Sequence, residues 1–168
     1  MGNIKKNISK GFTIIEILVV IVLTIIIALI IFPNFYNKKN KSSLDLTTRQ
    51  IAAILNEARN KAIAQSEDNY WGVYFENSTS TTPFYALFKS TIYSTSTALK
   101  RYTLPSLIVY NPSSIPLGSS TTVIFNKISG TVQNITSTKT IYLNLLQGNS
   151  IIATSSIIIN ISGLIDYN

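Results

Sequence analysis

Lys10-Gly11-Phe12-Thr13-Ile14-Ile15-Glu16 leads without a break into an apolar run that ends at Ile31-Phe32-Pro33. From Phe12 to Phe32, 17 of 21 residues are Ile, Leu, Val or Phe, and the exceptions are Thr13, Glu16, Thr24 and Ala28. A helix of that length spans about 30 Å, the thickness of a bilayer's hydrocarbon core. Ile and Val are modest helix formers in water. In lipid, however, every amide must bond within its own segment, so the run is predicted to be a membrane-inserted helix. Its apolar side chains favour insertion by roughly 5–10 kcal/mol, against at most about 3 kcal/mol for the Glu16 carboxylate near one end. Insertion wins, and it leaves an acid in need of a partner.

The segment before the run is short. It carries Lys5, Lys6 and Lys10, has no acid, and stops at Gly11. A secretory signal peptide places its small-residue cleavage site after the apolar core; here the small residue precedes it. The remaining length suffices for one further domain with its own core. The chain has 14 basic and 7 acidic side chains, a net charge of +7; without the three leader lysines 11 face 7, or +4. That balance is compatible with an anionic partner but weak evidence for one. Cysteine and histidine are absent, which excludes disulfides, zinc–thiolate sites, His-based triads and Cys–His dyads.

Lys10 to Val20 closely resembles the N-terminal motif of the type IV pilin and type II secretion pseudopilin superfamily. The resemblance implies that a prepilin peptidase cuts between Gly11 and Phe12 and methylates the new Phe12 amine. It also implies that Glu16, fifth after the cut, pairs with the N-terminal amine of a neighbouring subunit in a filament. An uncleaved signal anchor is the plain alternative. The leader lysines predict a cytoplasmic N-terminus and an exported C-terminal domain, whereas Lys38, Lys39 and Lys41 beyond the run argue the other way. Orientation is assigned from the leader, with the second cluster at the headgroups.

Pro33, at a position where the family often has proline, is expected to kink or interrupt the helix as it leaves the membrane. Helix then resumes. Leu44, Ile51, Ile54, Leu55, Ala58 and Ala62 recur at helical spacing and predict a stripe packed on a β-domain. Arg49, Asn56, Arg59 and Asn60 fall elsewhere; Arg59 and Lys61 are candidates for contact with a partner or nucleic acid, but read more simply as a solvated face. The pattern Leu55-x-x-Ala58-Arg59-x-x-Ala62-Ile63 resembles the GspH/FimT group of minor pseudopilins. Val123–Gly130 and Ile157–Ile165 resemble that group more loosely.

From Tyr70 the period changes to two, with Trp71, Val73 and Phe75 alternating with Tyr70, Gly72 and Tyr74. Asn77–Pro83 reads as a Ser/Thr loop. Strands are predicted over Phe84–Lys89, Lys100–Leu104, Leu107–Asn111, Thr121–Asn126, Thr131–Ile135, Thr140–Leu146 and Ile157–Ile161, punctuated by Pro and Gly turns that include Gly148-Asn149. The early Tyr and Phe side chains are expected to pack against the helix stripe.

The expected fold is therefore α+β and pilin-like. It comprises a cleaved leader (1–11), a transmembrane and filament-core helix (12–33), an amphipathic helix half (34–66) and an exported antiparallel β-domain (67–168). The expected role is a minor pilin or pseudopilin in the bacterial inner membrane, single-pass, later assembled into a type II secretion pseudopilus or a type IV pilus. Its expected partners are the prepilin peptidase, other pilin subunits, the inner-membrane assembly platform and membrane lipid; no cofactor, metal or catalytic residue is expected. The alternative role is DNA binding for uptake, through Lys89, Lys100 and Arg101 near Tyr93 and Tyr102. Glu67-Asp68 with Asn69 offer oxygens to calcium but lack EF-hand spacing, and read more simply as a polar helix-to-strand turn.

Overall fold

The computed structural model describes residues 11–133 and 135–168, and no side chain from 30 to 37. The predicted leader therefore lies, all but Gly11, outside the described residues. The chain divides into two compact units, Met1–Lys39 and Asn40–Asn168.

One helix, α1 (Ile14–Ile63), contributes to both units. The interruption expected at Pro33 does not occur, since α1 continues through that position. A proline removes one amide donor, and the hydrogen bonds on either side suffice to carry the helix. Whether its ring forces a bend falls on residues 30–37, whose side chains lie outside the described set. In the first unit, Ile14 to Leu29 is exposed all round apart from the half-buried Ala28. Among the described residues no helix is long and apolar enough to cross a membrane. That stretch falls a few residues short of a span, although the apolar run in the sequence continues through Ile30, Ile31 and Phe32.

In the second unit the character of α1 changes. Leu44, Ile51, Ile54, Leu55, Ala58 and Ala62 are all buried and belong to one hydrophobic cluster. Thr47, Thr48 and Ala52 are buried with them. The two threonines tolerate burial because their hydroxyls donate to the carbonyls of Ser43 (2.8 Å) and Leu44 (2.9 Å) in the preceding turn. Sheet A covers part of this stripe in the order β3-β2-β1-β5, and sheet B follows the order β4-β6-β7-β8. The strands are β1 (Trp71–Asn77), β2 (Phe84–Lys89), β3 (Ala98–Thr103), β4 (Ile108–Tyr110), β5 (Ser119–Phe125), β6 (Lys139–Gln147), β7 (Ser150–Ile159) and β8 (Ile165–Tyr167). All pairings are antiparallel, and both sheets give side chains to the cluster that buries the helix stripe. The fold is α+β, a helix packed on antiparallel sheets.

Several strands differ from expectation. No strand forms over Thr131–Ile135 among the described residues. Val132 makes a single bridge to Phe125, and its amide then donates to the Ile161 carbonyl at 2.9 Å. The turn at Ile128 and Gly130, both at positive φ, returns the chain to β5, where the Gln133 amide also donates to the Ile124 carbonyl at 2.8 Å, but no ladder forms beyond this among the described residues. β7 begins seven residues earlier than expected because Gly148-Asn149 closes a two-residue hairpin that pairs Gln147 with Ser150. The polar run Thr154-Ser155-Ser156 conceals it in the sequence. β8 follows Gly163 and was hidden by its brevity.

The early aromatics divide between two faces of sheet A. Trp71, Phe75 and Tyr85 join the helix-side core. Phe84, Phe88 and Tyr74 lie on the opposite face, where Tyr93 stacks on Tyr74 with centroids 3.8 Å apart and meets Phe88 edge-on. The loop 90–97 folds over this face, so β2 is buried on both sides.

Gly163 sits at φ +82 with its α-carbon against the Gly130 carbonyl; an added Cβ would lie 2.0 Å from that oxygen. Gly148 also has positive φ but nothing within 4 Å. Gly163→Ala is expected to cost about 3 kcal/mol or more, from left-handed strain plus overpacking, against about 1 kcal/mol for Gly148→Ala, read by denaturant unfolding. Lys139 is half-buried, donates to Thr121 Oγ1, and has no carboxylate partner among the described residues; burial pushes its ammonium pKa down. Lys139→Met is expected to stabilise the fold by about 1 kcal/mol in the same measurement.

Candidate functional site

The start of α1 is built by Thr13. Its carbonyl accepts from the amides of Glu16 (3.1 Å) and Ile17 (3.3 Å), and its hydroxyl accepts from the Glu16 amide at 3.3 Å. Thr13 is thus the N-cap, and Glu16 stands at the third helical position, the spacing of a capping box. A carboxylate in the first turn also complements the helix dipole. This role of Thr13 went unread, although Thr-x-x-Glu ahead of an apolar run is its signal.

Phe12, Glu16, Ile17, Val20 and Ile21 line one groove of about 270 Å³, so the Phe12 and Glu16 side chains share a helix face. Of the four exceptions in the run, Thr24 satisfies its hydroxyl internally by donating to the Val20 carbonyl at 2.7 Å, and Ala28 has nothing to satisfy. Glu16 is different. Among the described residues its carboxylate has no ion-pair or hydrogen-bond partner, while Phe12 beside it is 80% exposed. Among the described residues Gly11 is exposed, with nothing within 4 Å of where a Cβ would stand.

The three cations of the alternative nucleic-acid surface do not form one. Lys100 and Arg101 are neighbours on β3 and point to opposite faces of the sheet: Lys100 pairs with Leu87 of the core face, Arg101 with Ala86 of the other. Lys100 Nζ is held by Glu57 of α1 at 3.1 Å, Lys89 Nζ by Glu67, and Arg101 lies 3.6 Å over the Phe84 ring. Tyr102 stacks on Tyr85, and Tyr93 on Tyr74. Each cation already has a partner within the domain, and the aromatics are used in packing.

Glu67 and Asp68 lie in a short 3-10 turn, Ser66–Asp68, where both adopt left-handed backbone. Lys89 takes Glu67, and Lys127 donates to the Asp68 carboxylate at 2.7 Å and to its carbonyl, a contact that holds the Asp68 carboxyl below its usual pKa. The carboxylates face lysines, and the turn fastens the end of α1 to sheet A.

Neither cation of the expected solvated face is free in water. Lys61 Nζ lies 4.6 Å over the Trp71 ring. Arg59 lays its stem over Gly130 and Gly163, and its Nε is buried with no hydrogen-bond partner. Arg59 and Ile63 of α1, Gly130 after β5 and Gly163 before β8 thus converge from three distant parts of the chain. A single sequence carries no signal that would join them.

Residues 6–32 match the family described as the prokaryotic N-terminal methylation motif. No curated protein and no solved structure matches the chain. The matched motif is of prepilin type and supports the type IV pilin-like superfamily; it implies processing by a prepilin peptidase, assembly with other pilins, and a membrane-anchored, pilus-associated chain.

Proposed function

We propose that the chain is a minor pilin or pseudopilin of the GspH/FimT type, serving a type II secretion pseudopilus or a type IV pilus. The observation that carries this reading is the Glu16 carboxylate, partnerless on an exposed apolar helix within a matched methylation motif. Residues 1–11 are a leader removed by the peptidase, 12–33 the membrane and filament-core segment, 34–66 the amphipathic half, and 67–168 the domain carried outside. The chain waits in the inner membrane as a single-pass protein with its N-terminus in the cytoplasm, in contact with lipid and the assembly platform. Its role is structural rather than enzymatic.

Cutting after Gly11 frees an amine on Phe12, which methylation keeps cationic. In a filament the helix of each subunit is surrounded by apolar neighbours, where an isolated carboxylate is heavily penalised. The Phe12 amine of one subunit answers Glu16 of another, and the paired charges fix the axial step between them. The capping-box position serves that pairing. Because the Glu16 amide is bound by Thr13, the carboxylate is presented at a fixed place on the face it shares with Phe12. Lys38, Lys39 and Lys41 are exposed and have no acid partner among the described residues, consistent with a position at the lipid headgroups.

Mass spectrometry of the protein from its native cells is expected to show a mature chain that begins at methylated Phe12; a chain beginning at Met1 would contradict this reading. Glu16→Ala is expected to insert and to be processed normally, yet to enter filaments on the order of tenfold less, because the incoming amine is left buried without its counter-charge. Quantitative immunoblotting of sheared filaments against membranes checks it, and normal incorporation would remove the proposed role of Glu16.

A further inference from the structure

Ile128 is a β-branched residue at φ +67, a conformation that such side chains rarely adopt and that costs backbone strain. The strain does not serve burial, for Ile128 is 69% exposed. Its backbone is held in place by its amide, which donates to the Ala62 carbonyl near the end of α1 at 3.2 Å. Ile63, the next helical residue, packs on Gly130 and is partly exposed. Ile161, whose carbonyl receives the Val132 amide, and Leu164, beside Gly163, are exposed as well. Four aliphatic side chains are therefore left in solvent around the place where Gly130 and Gly163 meet. Beside them Arg59 lies against Gly130 and Gly163 and is only half-buried, and no carboxylate is within ion-pair reach of it among the described residues.

Two features coincide at this surface: exposed apolar area and a guanidinium with no ion-pair partner among the described residues. Both are answered by the same event, the arrival of an apolar surface that carries one carboxylate. An arginine ringed by aliphatic side chains is also the composition of a binding hot spot. We propose that the surface around Ile128 is a docking site for the adjacent subunit of the filament, whose carboxylate pairs with Arg59. The partner is a protein rather than a nucleic acid or lipid headgroup, because a lone cation among aliphatics neutralises one acid but offers nothing to a row of phosphates. The proposal rests on the filament reading above and adds a second contact, distant in sequence from Phe12 and Glu16.

The test uses the full-length chain in its native cells, with p-benzoylphenylalanine in place of Ser129, next to an intact Ile128. Photolysis is expected to yield an adduct with a pilin-type subunit, reduced at least tenfold by Arg59→Gln and largely restored by Arg59→Lys. The absence of an adduct, or adducts with only lipid, nucleic acid or proteins outside the filament, overturns the proposal. Ile128→Gly separates docking from folding. Glycine accommodates the positive φ, so the melting temperature of the detergent-solubilised chain is expected to hold or rise while filament incorporation falls at least threefold. Unchanged incorporation overturns the docking role, and so does a fall in melting temperature that accounts for the lost incorporation. Glu16→Ala keeps the two readings apart: normal incorporation of that variant counts against the amine–carboxylate mechanism, whereas loss with Glu16→Ala but none with Ile128→Gly defeats the docking site alone.

Discussion

Two four-stranded sheets share one helix stripe, and each depends on it to keep the inner face dry. Ala52, Ala58 and Ala62 make that stripe slim, so strands and turns approach the helix closely. The Ile128 amide reaches the Ala62 carbonyl for this reason, and Gly130 receives Ile63 without a side chain of its own in the way. With no disulfide available, this close contact is the fastening of the domain. Enlarging the stripe would push the sheets away from the helix and open the core along its length.

The helix itself was the most legible part of the chain. The run from Phe12 to Phe32 is apolar at nearly every position, and the residues after Lys41 switch to helical periodicity, a change no strand could imitate. Strands with alternating or continuous apolar character, such as β1 and β2, were equally readable. β7 was not, since Thr154, Ser155 and Ser156 interrupt its apolar pattern; only the pairing with β6 keeps them extended. The expected strand after Gly130 failed for the opposite reason. Its residues have strand character and begin to pair with β5 through Val132 and Gln133, but the Val132 amide is taken by the Ile161 carbonyl and the pairing stops there among the described residues.

The candidate site divides in the same way. Gly11, Phe12 and Glu16 are local in sequence, so their register could be seen without a structure. The pairing of Lys100 with Glu57, or the passage of Arg101 across Phe84, depends on which face of β3 each residue occupies. The period of two already sets the adjacent Lys100 and Arg101 on opposite faces of β3, a signal that a linear grouping of the three cations overlooked, whereas their partners across the fold carried no signal in the sequence. Arg59 is the clearest case: in sequence it is one more charged residue on a helix, and in space it lies against two glycines, Gly130 and Gly163, that are far from it and from each other along the chain.

Sheet A has a consequence for biogenesis. Its β1–β5 ladder joins Trp71 to Phe125, 54 residues further on, so β1 cannot find that partner until β5 has been synthesised. Pairings of such separation are slow to form, and meanwhile the apolar strands stand open to aggregation. A subunit whose first helix is held in lipid spends that interval tethered at the membrane surface, diluted from its siblings until β5 arrives. The greasy N-terminal segment would in this way protect the nascent domain as well as build the filament.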